Sequence, residues 1–305
     1  MSRLVLVDKP EGPTSHDVVS TLRRTLGIKK AGHCGTLDPM ASGLLLILTG
    51  WATRLAEVFG DHVKVYQGTV RFGSATDTDD RQGKVVASAA DFALAPAALD
   101  DALATLAARR EQRPPVYSAI KREGVPLYKL ARAGKLEADD APPPRPVTIH
   151  RLERLDWDGR DLVVEVECSA GTYVRALARD LGELVGVPAH LRALRRLRSG
   201  PFSVEHAVGA DRLLWEDSTD PLGLPLEVAL ADLPAAVTRG DYAERLRFGA
   251  QPGVEDLDWD FATAAEGAWV RVLSPEDALL ALARVERPAS ADAPPRLRLR
   301  RRLVD

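Results

Sequence analysis

The sequence has few aromatic residues, few cysteines and no long apolar run. Phe, Trp and Tyr make up 5% of its 305 residues, and it has two cysteines. So few cysteines exclude a disulfide scaffold, and the apolar stretches Leu4–Val7 and Leu44–Leu48 are too short for a membrane span or a signal peptide. The content of 45% hydrophobic and 28% charged residues is typical of a soluble globular protein. We therefore expect a cytoplasmic protein without membrane association, in which Cys34 and Cys168 are reduced thiols.

The net charge is also small, and its distribution is uneven. A formal charge of -3 argues, taken alone, against nucleic acid as a partner. Residues 203–266, however, hold 4 basic and 14 acidic side chains, which gives this segment a charge of -10. Residues 171–200 hold six arginines against two acidic side chains, a local charge of +4. That segment can attract a polyanion whatever the total charge is.

The residue pattern mixes strands and helices without the regular spacing of a doubly wound sheet. It predicts strands at Leu4–Val7, Tyr66–Phe72 and Val163–Cys168, and helices from an N-cap at Ser15 to Leu26, at Pro96–Arg109, at Tyr173–Val185 and at His190–Arg196. Gly27 is expected to end the first helix. These elements favour an α+β fold with a mixed, largely antiparallel sheet.

The segment Lys30–Gly43 is the most informative part of the chain. Asp is a preferred N-cap and Pro a preferred first helical residue, so the local pattern of Asp38 and the residue after it favours a helix cap over a catalytic carboxylate. His33 and Cys34 could suggest a thiol nucleophile, but catalytic pairs normally come from distant segments. We therefore interpret Cys34 as a small buried residue.

Metal binding is not indicated by the sequence. The six His and two Cys have no ligand spacing. The acidic stretch Asp77–Gly83 fails the calcium-loop pattern, because Arg81 occupies a ligand position and Gln82 the position that requires Gly. We interpret this stretch as a polar turn between strands.

Several motifs occur together in one order and spacing. They are Lys9–Ser15, Gly32–Gly43, Lys64–Tyr66, Phe72–Asp79, Gln112–Ala119, Cys168–Arg175 and Leu194–Arg196. In these motifs the chain closely resembles the TruB family, the bacterial tRNA pseudouridine synthases that modify uridine 55 in the T loop. The resemblance covers roughly residues 3–210. From about Arg239 onward it is to the RNA-binding PUA module.

The resemblance implies a pseudouridine synthase fold with a small C-terminal β-rich module. It implies a catalytic domain over residues 1–238, with a thumb-like insertion at about 124–143, and a PUA-like module over residues 239–305. The implied enzyme isomerises uridine 55 of tRNA without cofactor or metal, as a monomer without an obligatory protein partner. The insertion would close over the T loop and exclude water.

The same resemblance implies roles for individual residues. Asp38 matches the catalytic carboxylate; whether it attacks C1′, attacks C6 or abstracts a sugar proton stays open. Arg175 matches the residue that pairs with it, since a carboxylate in a dry pocket needs a counter-charge. Tyr66 matches the residue that stacks on the flipped base, Tyr173 lies beside the reacting ring, and Leu194 contributes to the apolar wall.

RNA capture is expected to involve a further group of residues. His33 matches the residue that fills the space left when the T-loop bases splay outward. Contacts to the RNA backbone are expected from Arg179, Arg192, Arg195, Arg196 and the basic segment Arg296–Arg302.

Two alternative functions remain open at this point. One is a guide-RNA-dependent pseudouridine synthase of the archaeal and eukaryotic type, against which the insertion at 124–143 argues. The other is a non-catalytic tRNA-folding factor that uses the same surface.

The role implied for His33 gives a first prediction. We expect His33→Ala to weaken binding of a T-arm stem-loop more than it slows the chemical step, because the imidazole fills space in the RNA and does not touch the reacting bond. Dissociation constants and single-turnover rates measured on the same RNA test this. A rate reduced as severely as that of Asp38→Ala would contradict it.

Overall fold

The computed structural model describes residues 2–118, 120–136, 142–212, 222–260, 265–287 and 295–303. Over these ranges it contains seven α-helices: α1 (Ser15–Thr25), α2 (Ala56–Gly60), α3 (Pro96–Ala107), α4 (Leu127–Arg132), α5 (Val174–Val185), α6 (Leu226–Ala229) and α7 (Tyr242–Arg247). Short 3₁₀ helices span Gly50–Leu55 and Val204–His206. None of the helices in these ranges has the length and hydropathy needed to cross a bilayer.

The same ranges contain twenty strands. The first ten are β1 (Leu4–Lys9), β2 (Ala31–His33), β3 (Ala41–Thr49), β4 (Lys64–Phe72), β5 (Ser74–Thr76), β6 (Val85–Ser88), β7 (Glu111–Gln112), β8 (Lys121–Arg122), β9 (Val125–Pro126) and β10 (Arg145–Pro146). The others are β11 (Ile149–Trp157), β12 (Asp161–Cys168), β13 (Ala189–Ser199), β14 (Phe202–Ser203), β15 (Val208–Gly209), β16 (Ala235–Thr238), β17 (Leu257–Asp258), β18 (Trp269–Leu273), β19 (Leu279–Glu286) and β20 (Arg296–Arg302).

The chain forms two compact units. The larger consists of Leu6–Ile47 and Phe59–Ser218, and the smaller of Met1–Val5, Leu48–Val58 and Thr219–Asp305. The domain boundary predicted from the sequence, between residues 238 and 239, stays a prediction.

A mixed sheet organises the larger unit. Its strand order is β11-β12-β4-β13-β3-β1-β15, with β14 paired to β13 and β2 to β3. The pairings β11–β12, β12–β4 and β4–β13 are antiparallel, whereas β13–β3 and β1–β15 are parallel. The apolar residues Leu44–Ile47 of strand β3 lie fully buried in this sheet. The predicted α+β class with a largely antiparallel sheet is confirmed.

The smaller unit contains a five-stranded sheet in the order β17-β16-β18-β19-β20. Residues from α7 and from these strands form its core, among them Tyr242, Leu246, Val270, Val272 and Val285. The predicted β-rich C-terminal part is confirmed, and its assignment as a PUA module stays a prediction.

Most predicted elements of the larger unit are present. Strands β1, β4 and β12 and helices α3 and α5 lie where the pattern placed them. The first helix ends before Gly27 as predicted, but its N-cap is Thr14 and not Ser15. Thr14 and Asp17 form a reciprocal capping box, so the hydroxyl of Ser15 is left for another contact. The stretch Asp77–Gly83 connects β5 and β6, which confirms the predicted turn between strands.

The predicted helix at His190–Arg196 is wrong, because these residues belong to strand β13. The strand has register shifts at Leu191/Ala193 and at Arg196/Arg198. Each bulge moves the alternation of side chains by one residue. Buried positions such as Leu191 and Leu194 are therefore three residues apart, which is the spacing of a helix.

The predicted helix cap at Asp38 is also wrong. The Ala41 amide donates a hydrogen bond to the Asp38 carbonyl oxygen over 3.0 Å, and a strand, β3, begins at Ala41. Asp followed by Pro is equally suited to the first two positions of a β-turn. The apolar run after the turn is a central strand, whose two buried faces remove the alternation that normally identifies a strand.

The predicted insertion at 124–143 contains strand β9 and helix α4 and ends just before strand β10. Strand β9 pairs with β8 in a hairpin. Residues 137–141 lie outside the described residues, and the proposed closure over RNA stays a prediction.

Gly43 gives a prediction about stability. Its φ is +100°, and a Cβ at this position would lie 2.3 Å from the Arg196 carbonyl oxygen. Gly159 has a similar φ of +94° but open space around it. We expect Gly159→Ala to lower the free energy of unfolding by about 1 kcal/mol and Gly43→Ala by about 3 kcal/mol, because the second also forces strands β3 and β13 apart. Urea unfolding of both variants measures the difference, and equal losses would contradict the role of the close approach.

Candidate active site

Asp38 lies in a tight turn between strands β2 and β3. The turn is closed by the hydrogen bond from Ala41 to the Asp38 carbonyl oxygen, and Pro39 follows the aspartate within it. The Asp38 side chain is 34% exposed, so its carboxylate is accessible from solvent while its backbone is held. Such a carboxylate can meet a substrate without a large rearrangement of the chain.

The segment before and within helix α1 fixes this turn from both sides. The Ser15 hydroxyl accepts a hydrogen bond from the Leu37 amide (2.8 Å) and donates one to the Leu37 carbonyl oxygen (2.9 Å). The Gly12 amide donates to the Pro39 carbonyl oxygen over 2.8 Å. The residues on either side of Asp38 are therefore both anchored to the motif Lys9–Ser15.

Arg196 holds the same loop from the sheet. Its Nε donates to the Leu44 carbonyl oxygen over 2.6 Å, and its Nη2 donates to the Gly35 carbonyl oxygen over 3.2 Å. The residue is 1% exposed. The sequence had suggested that Arg196 contacts an RNA phosphate, but a side chain so deeply buried is not placed to do so. We assign Arg196 to the support of the Asp38 loop.

Arg175 pairs directly with Asp38. Its Nε lies 2.8 Å from the Asp38 Oδ2, and the Arg175 side chain is 7% exposed. Its Nη1 donates to the Thr78 carbonyl oxygen and its Nη2 to the Tyr117 carbonyl oxygen, each over 2.9 Å. The Asp80 carboxylate lies 3.7 Å from Nη1. The guanidinium is thus held on three edges, which fixes the direction in which Nε faces Asp38.

Lys9 adds a second buried cation near Asp38. Its Nζ donates to the carbonyl oxygens of Pro10 and Pro13, each over 2.9 Å. Burial lowers the pKa of Lys9 to about 8, and the negative charge of Asp38 opposes this shift. The positive charges of Lys9 and Arg175 therefore both act on the Asp38 carboxylate.

Two of the predicted pocket residues share one face of the sheet. Tyr66 on β4 lies opposite Arg196 on β13, and Gly68 lies opposite Leu194. Leu194 is also the cross-strand partner of Ala41, the first residue of β3 after the Asp38 turn. Directly paired residues share a face of the sheet, and so do residues two apart along one strand. Tyr66 and Leu194 therefore lie on one face. Burial raises the pKa of Tyr66, and the nearby Arg196 partly opposes the shift.

Tyr173 is the N-cap residue of α5. The Gln112 side chain binds its backbone on both sides: the Tyr173 amide donates to Oε1 over 2.8 Å, and Nε2 donates to the Tyr173 carbonyl oxygen over 3.1 Å. Burial raises the pKa of the Tyr173 phenol. Because Arg175 follows two residues later, Gln112 also fixes the start of the helix that carries the arginine.

His33 lies at the end of β2, five residues before Asp38. Its Nδ1 is buried and has no hydrogen-bond partner among the residues that the structure describes. Burial, assisted by the charge of Arg196, lowers the pKa of His33. A neutral imidazole here is suited to apolar and stacking contacts more than to phosphate binding.

Both cysteines are buried and free. Burial raises the pKa of Cys34 to about 12 and that of Cys168 to about 11. Neither side chain is a thiolate near neutral pH, and the prediction that Cys34 is a buried residue is confirmed. Within the described ranges, no three His, Cys, Asp or Glu side chains gather in a way that could hold a metal ion.

The other arginines predicted to contact RNA are engaged in ion pairs. Arg195 pairs with Asp8 at 2.7 Å, and Arg192 pairs with Asp161. Both arginines are accessible at the surface. An RNA phosphate would compete with these carboxylates, and a phosphate contact stays a prediction for both.

Arg179 and the C-terminal arginines have carboxylate partners as well. Arg179 lies 3.0 Å from Asp79 and 2.8 Å from Asp180. On strand β20, Arg298 and Arg300 both pair with Glu286.

Several residues that shape the site were not identified from the sequence. They are Lys9, Ser15, Asp80, Gln112 and Arg196 in its supporting role. Four of them belong to the family motifs and Asp80 to the stretch Asp77–Gly83. Apart from the local hydrogen bonds of Lys9, their contacts join segments that are far apart along the chain. A usable signal was the presence of Gly or Pro among the polar residues of Lys9–Ser15 and Gln112–Ala119, whereas Leu194–Arg196 contains neither.

Two segments of the chain match known families. Residues 23–174 match the family described as "TruB family pseudouridylate synthase (N terminal domain)". Residues 175–231 match "tRNA pseudouridylate synthase B C-terminal domain".

Similar proteins cover most of the chain. The tRNA pseudouridine synthase B of Syntrophotalea carbinolica is 38% identical over 281 residues, which are 92% of this chain and 90% of that protein. The protein of the same name from Aromatoleum aromaticum is 47% identical over 233 residues, 76% of this chain and 74% of its own.

Solved structures share the fold. A chain from a Cbf5-Nop10-Gar1 complex superimposes with a TM-score of 0.71 at 26% identity and covers 98% of this chain and 83% of its own. A chain from an H/ACA RNP bound to a substrate RNA containing 2'-deoxyuridine gives 0.71 at 22% identity, over 99% and 85%. The predicted pseudouridine synthase fold is confirmed.

The three-sided hold on Arg175 leads to a prediction. We expect Arg175→Lys to lower the single-turnover rate of pseudouridine formation about a hundredfold, because an ammonium keeps the charge but cannot bind Thr78, Tyr117 and Asp38 together. Arg198→Lys is the matched control, since Arg198 is an exposed arginine that pairs with Glu167 at 2.6 Å. Full activity of Arg175→Lys would show that charge alone is needed.

Proposed function

Since this chain belongs to the TruB family of pseudouridylate synthases, we propose that it acts on tRNA and converts uridine 55 of the T loop to pseudouridine, with Asp38 as the catalytic carboxylate. The observation that carries the proposal is the Asp38–Arg175 pair, 2.8 Å apart, at the accessible end of a loop held from both sides. The relatives that share most of the chain are tRNA pseudouridine synthases, which favours tRNA as the substrate.

The reaction is an isomerisation. The N1–C1′ glycosidic bond of uridine breaks, the base turns, and a C5–C1′ bond forms; the proton on C5 leaves and N1 gains one, so no atom is added or lost. Such a reaction needs a carboxylate next to the ribose or the base, acting as nucleophile or as base. Asp38 can supply it, by attack at C1′, by attack at C6 or by removal of a sugar proton.

Arg175 gives this carboxylate its counter-charge and its orientation. The Nε of Arg175 occupies one oxygen of Asp38, which leaves the other oxygen for the substrate. The carbonyl oxygens of Thr78 and Tyr117 hold the guanidinium in place during the reaction. Positioning of this kind is favourable because no group has to reorganise when the bond breaks.

The flipped base would lie against the apolar side of the site. Tyr66 supplies a ring for stacking, and Leu194 lies on the same face of the sheet. Tyr173 stands at the start of the helix that carries Arg175. These three side chains support a pocket that accepts a pyrimidine ring while Asp38 faces the base or its sugar.

The proposed role of Asp38 is tested by Asp38→Asn. We expect at least about a thousandfold loss of pseudouridine formation on unmodified tRNA, with the dissociation constant for a T-arm stem-loop changed less than about threefold, because the amide keeps the shape but loses the charge. Asp100→Asn is the matched control, an exposed aspartate paired with Arg154. Pseudouridine is mapped by nucleotide position.

Three outcomes separate the possibilities. Conversion at position 55 by the wild type and its loss in Asp38→Asn support the proposal. Conversion at another position contradicts the assignment of uridine 55. Binding of tRNA by the wild type without any conversion contradicts the enzyme and favours a tRNA-folding factor.

A further inference from the structure

The loop between β5 and β6 approaches helix α5 at two points. Arg175 contacts it at the Thr78 carbonyl oxygen and at Asp80. Arg179, one helical turn further along α5, contacts it at Asp79, whose Oδ2 lies 3.0 Å from the Arg179 Nη1. Two arginines on one face of the helix therefore bind three consecutive residues of the loop.

Asp79 is held in an unusual conformation. Its φ is +60°, in the left-handed region that residues other than glycine seldom adopt. The Leu191 amide on β13 donates to the Asp79 carbonyl oxygen over 3.0 Å, and the Asp79 amide donates to the Thr76 carbonyl oxygen over 3.2 Å. The side chain is 14% exposed. A conformation of this kind persists when several contacts determine it together.

Arg179 is placed to supply one of those contacts. Besides Asp79 it binds the Asp180 carboxylate at 2.8 Å, and its Nη2 donates to the Arg113 carbonyl oxygen over 3.0 Å. Its guanidinium is thus shared between the loop, the helix and the segment that precedes Tyr117. These contacts occupy the donors that a phosphate would need.

We propose that the Arg179–Asp79 ion pair is a positioning device: it seats the loop on α5 so that Thr78 and Asp80 hold Arg175 toward Asp38. This inference rests on the proposed function, in which Asp38 is the catalytic residue. Neither Arg179 nor Asp79 touches Asp38, so both act through Arg175. The role replaces the RNA-backbone contact that the sequence suggested for Arg179.

The charges around Asp79 make the strength of the Arg179–Asp79 ion pair depend on pH. Arg179, Arg175 and Asp180 of α5 all face its carboxylate, and Arg109 of α3 pairs with Asp180 at 3.0 Å. Burial raises the pKa of Asp79 to about 6, which the two facing arginines oppose. Protonation below this pH removes the charge that attracts Arg179, so the single-turnover rate should fall as the pH drops from 7.5 to 5.5.

Stability should change in the opposite direction over part of this range. The pKa of Asp79 is higher in the folded protein than the ordinary value of 3.8. The folded state therefore binds the proton more tightly, and this group stabilises the fold as the pH falls from about 6 toward 4. A loss of rate caused by Asp79 is thus not a loss of folded protein.

The deciding variant is Asp79→Asn, because asparagine tolerates the left-handed region and has the same shape. We expect its single-turnover rate at pH 7.5 to fall about tenfold to a hundredfold, as positioning errors near a reacting centre do. The dissociation constant for tRNA should change less than about twofold, and the pH profile should lose its inflection near 6. Asp77→Asn is the matched control: Asp77 lies in the same loop, is exposed and accepts a hydrogen bond from the Lys84 amide.

A second variant tests whether the two residues act as a pair. Arg179→Met should lower the rate by a similar factor, and the double variant Asp79→Asn/Arg179→Met should be no slower than either single variant. Losses that multiply in the double variant would contradict a shared role. Thermal unfolding of all variants establishes that they are folded at the assay temperature.

A phosphate-binding role for Arg179 would give a different set of measurements. If Arg179 binds an RNA phosphate, removing the Asp79 charge frees it, and Asp79→Asn should bind tRNA more tightly, with a steeper salt dependence and an unchanged rate. That outcome, or an unchanged rate with unchanged affinity, would overturn the positioning role. Failure of the proposed function is distinguishable, because it would leave wild-type protein without conversion at uridine 55, whatever Asp79→Asn does.

Discussion

The buried guanidinium of Arg175 joins three parts of the chain that are distant in sequence. Asp38, Thr78 and Tyr117 come from separate loops, and each places an oxygen atom 2.8 to 2.9 Å from a different nitrogen of this one side chain. Removing the arginine would leave two carbonyl oxygens and a carboxylate without their partner in a partly buried site. The relative placement of these loops therefore depends on it.

Other contacts within the larger unit fix the positions of Asp38 and Arg175. Asp38 is fixed by Ser15 and Gly12 from one side and by Arg196 from the sheet. Arg175 is fixed by the start of α5, which Gln112 binds through the backbone of Tyr173. The mixed sheet supplies a common base, because β3 follows the Asp38 turn and β13 pairs with it in parallel.

Sequence reasoning predicted the elements whose pattern is local. Helix α5 and strand β12 follow directly from their periodicity, and the turn Asp77–Gly83 follows from its composition. Strand β13 was not predicted, because two bulges change its side-chain alternation. The strand that follows the Asp38 turn was not predicted either, because Asp-Pro fits a helix cap and a β-turn equally well.

The site was predictable as a set of residues, through the family resemblance, but not as a set of contacts. That Arg196 is 1% exposed, and that Arg179 binds Asp79, are consequences of how distant segments pack. A sequence shows an arginine as a charge, whereas the fold decides whether the charge faces solvent or a carboxylate. The same holds for net charge: the total of -3 hides a basic segment at residues 171–200 that carries the arginine of the site.

We propose that Asp38, held by Arg175, meets a flipped uridine at its ribose or at C6 of its base. A crystal structure of the protein with a T-arm stem-loop tests it most directly. We expect uridine 55 to lie out of the loop stack, with an Asp38 oxygen about 3 to 3.5 Å from C1′, from C6 or from the sugar carbon that loses a proton, and with Arg175 still bound to the other oxygen. A uridine bound elsewhere, or an Arg175 that leaves Asp38 for an RNA phosphate, would contradict it.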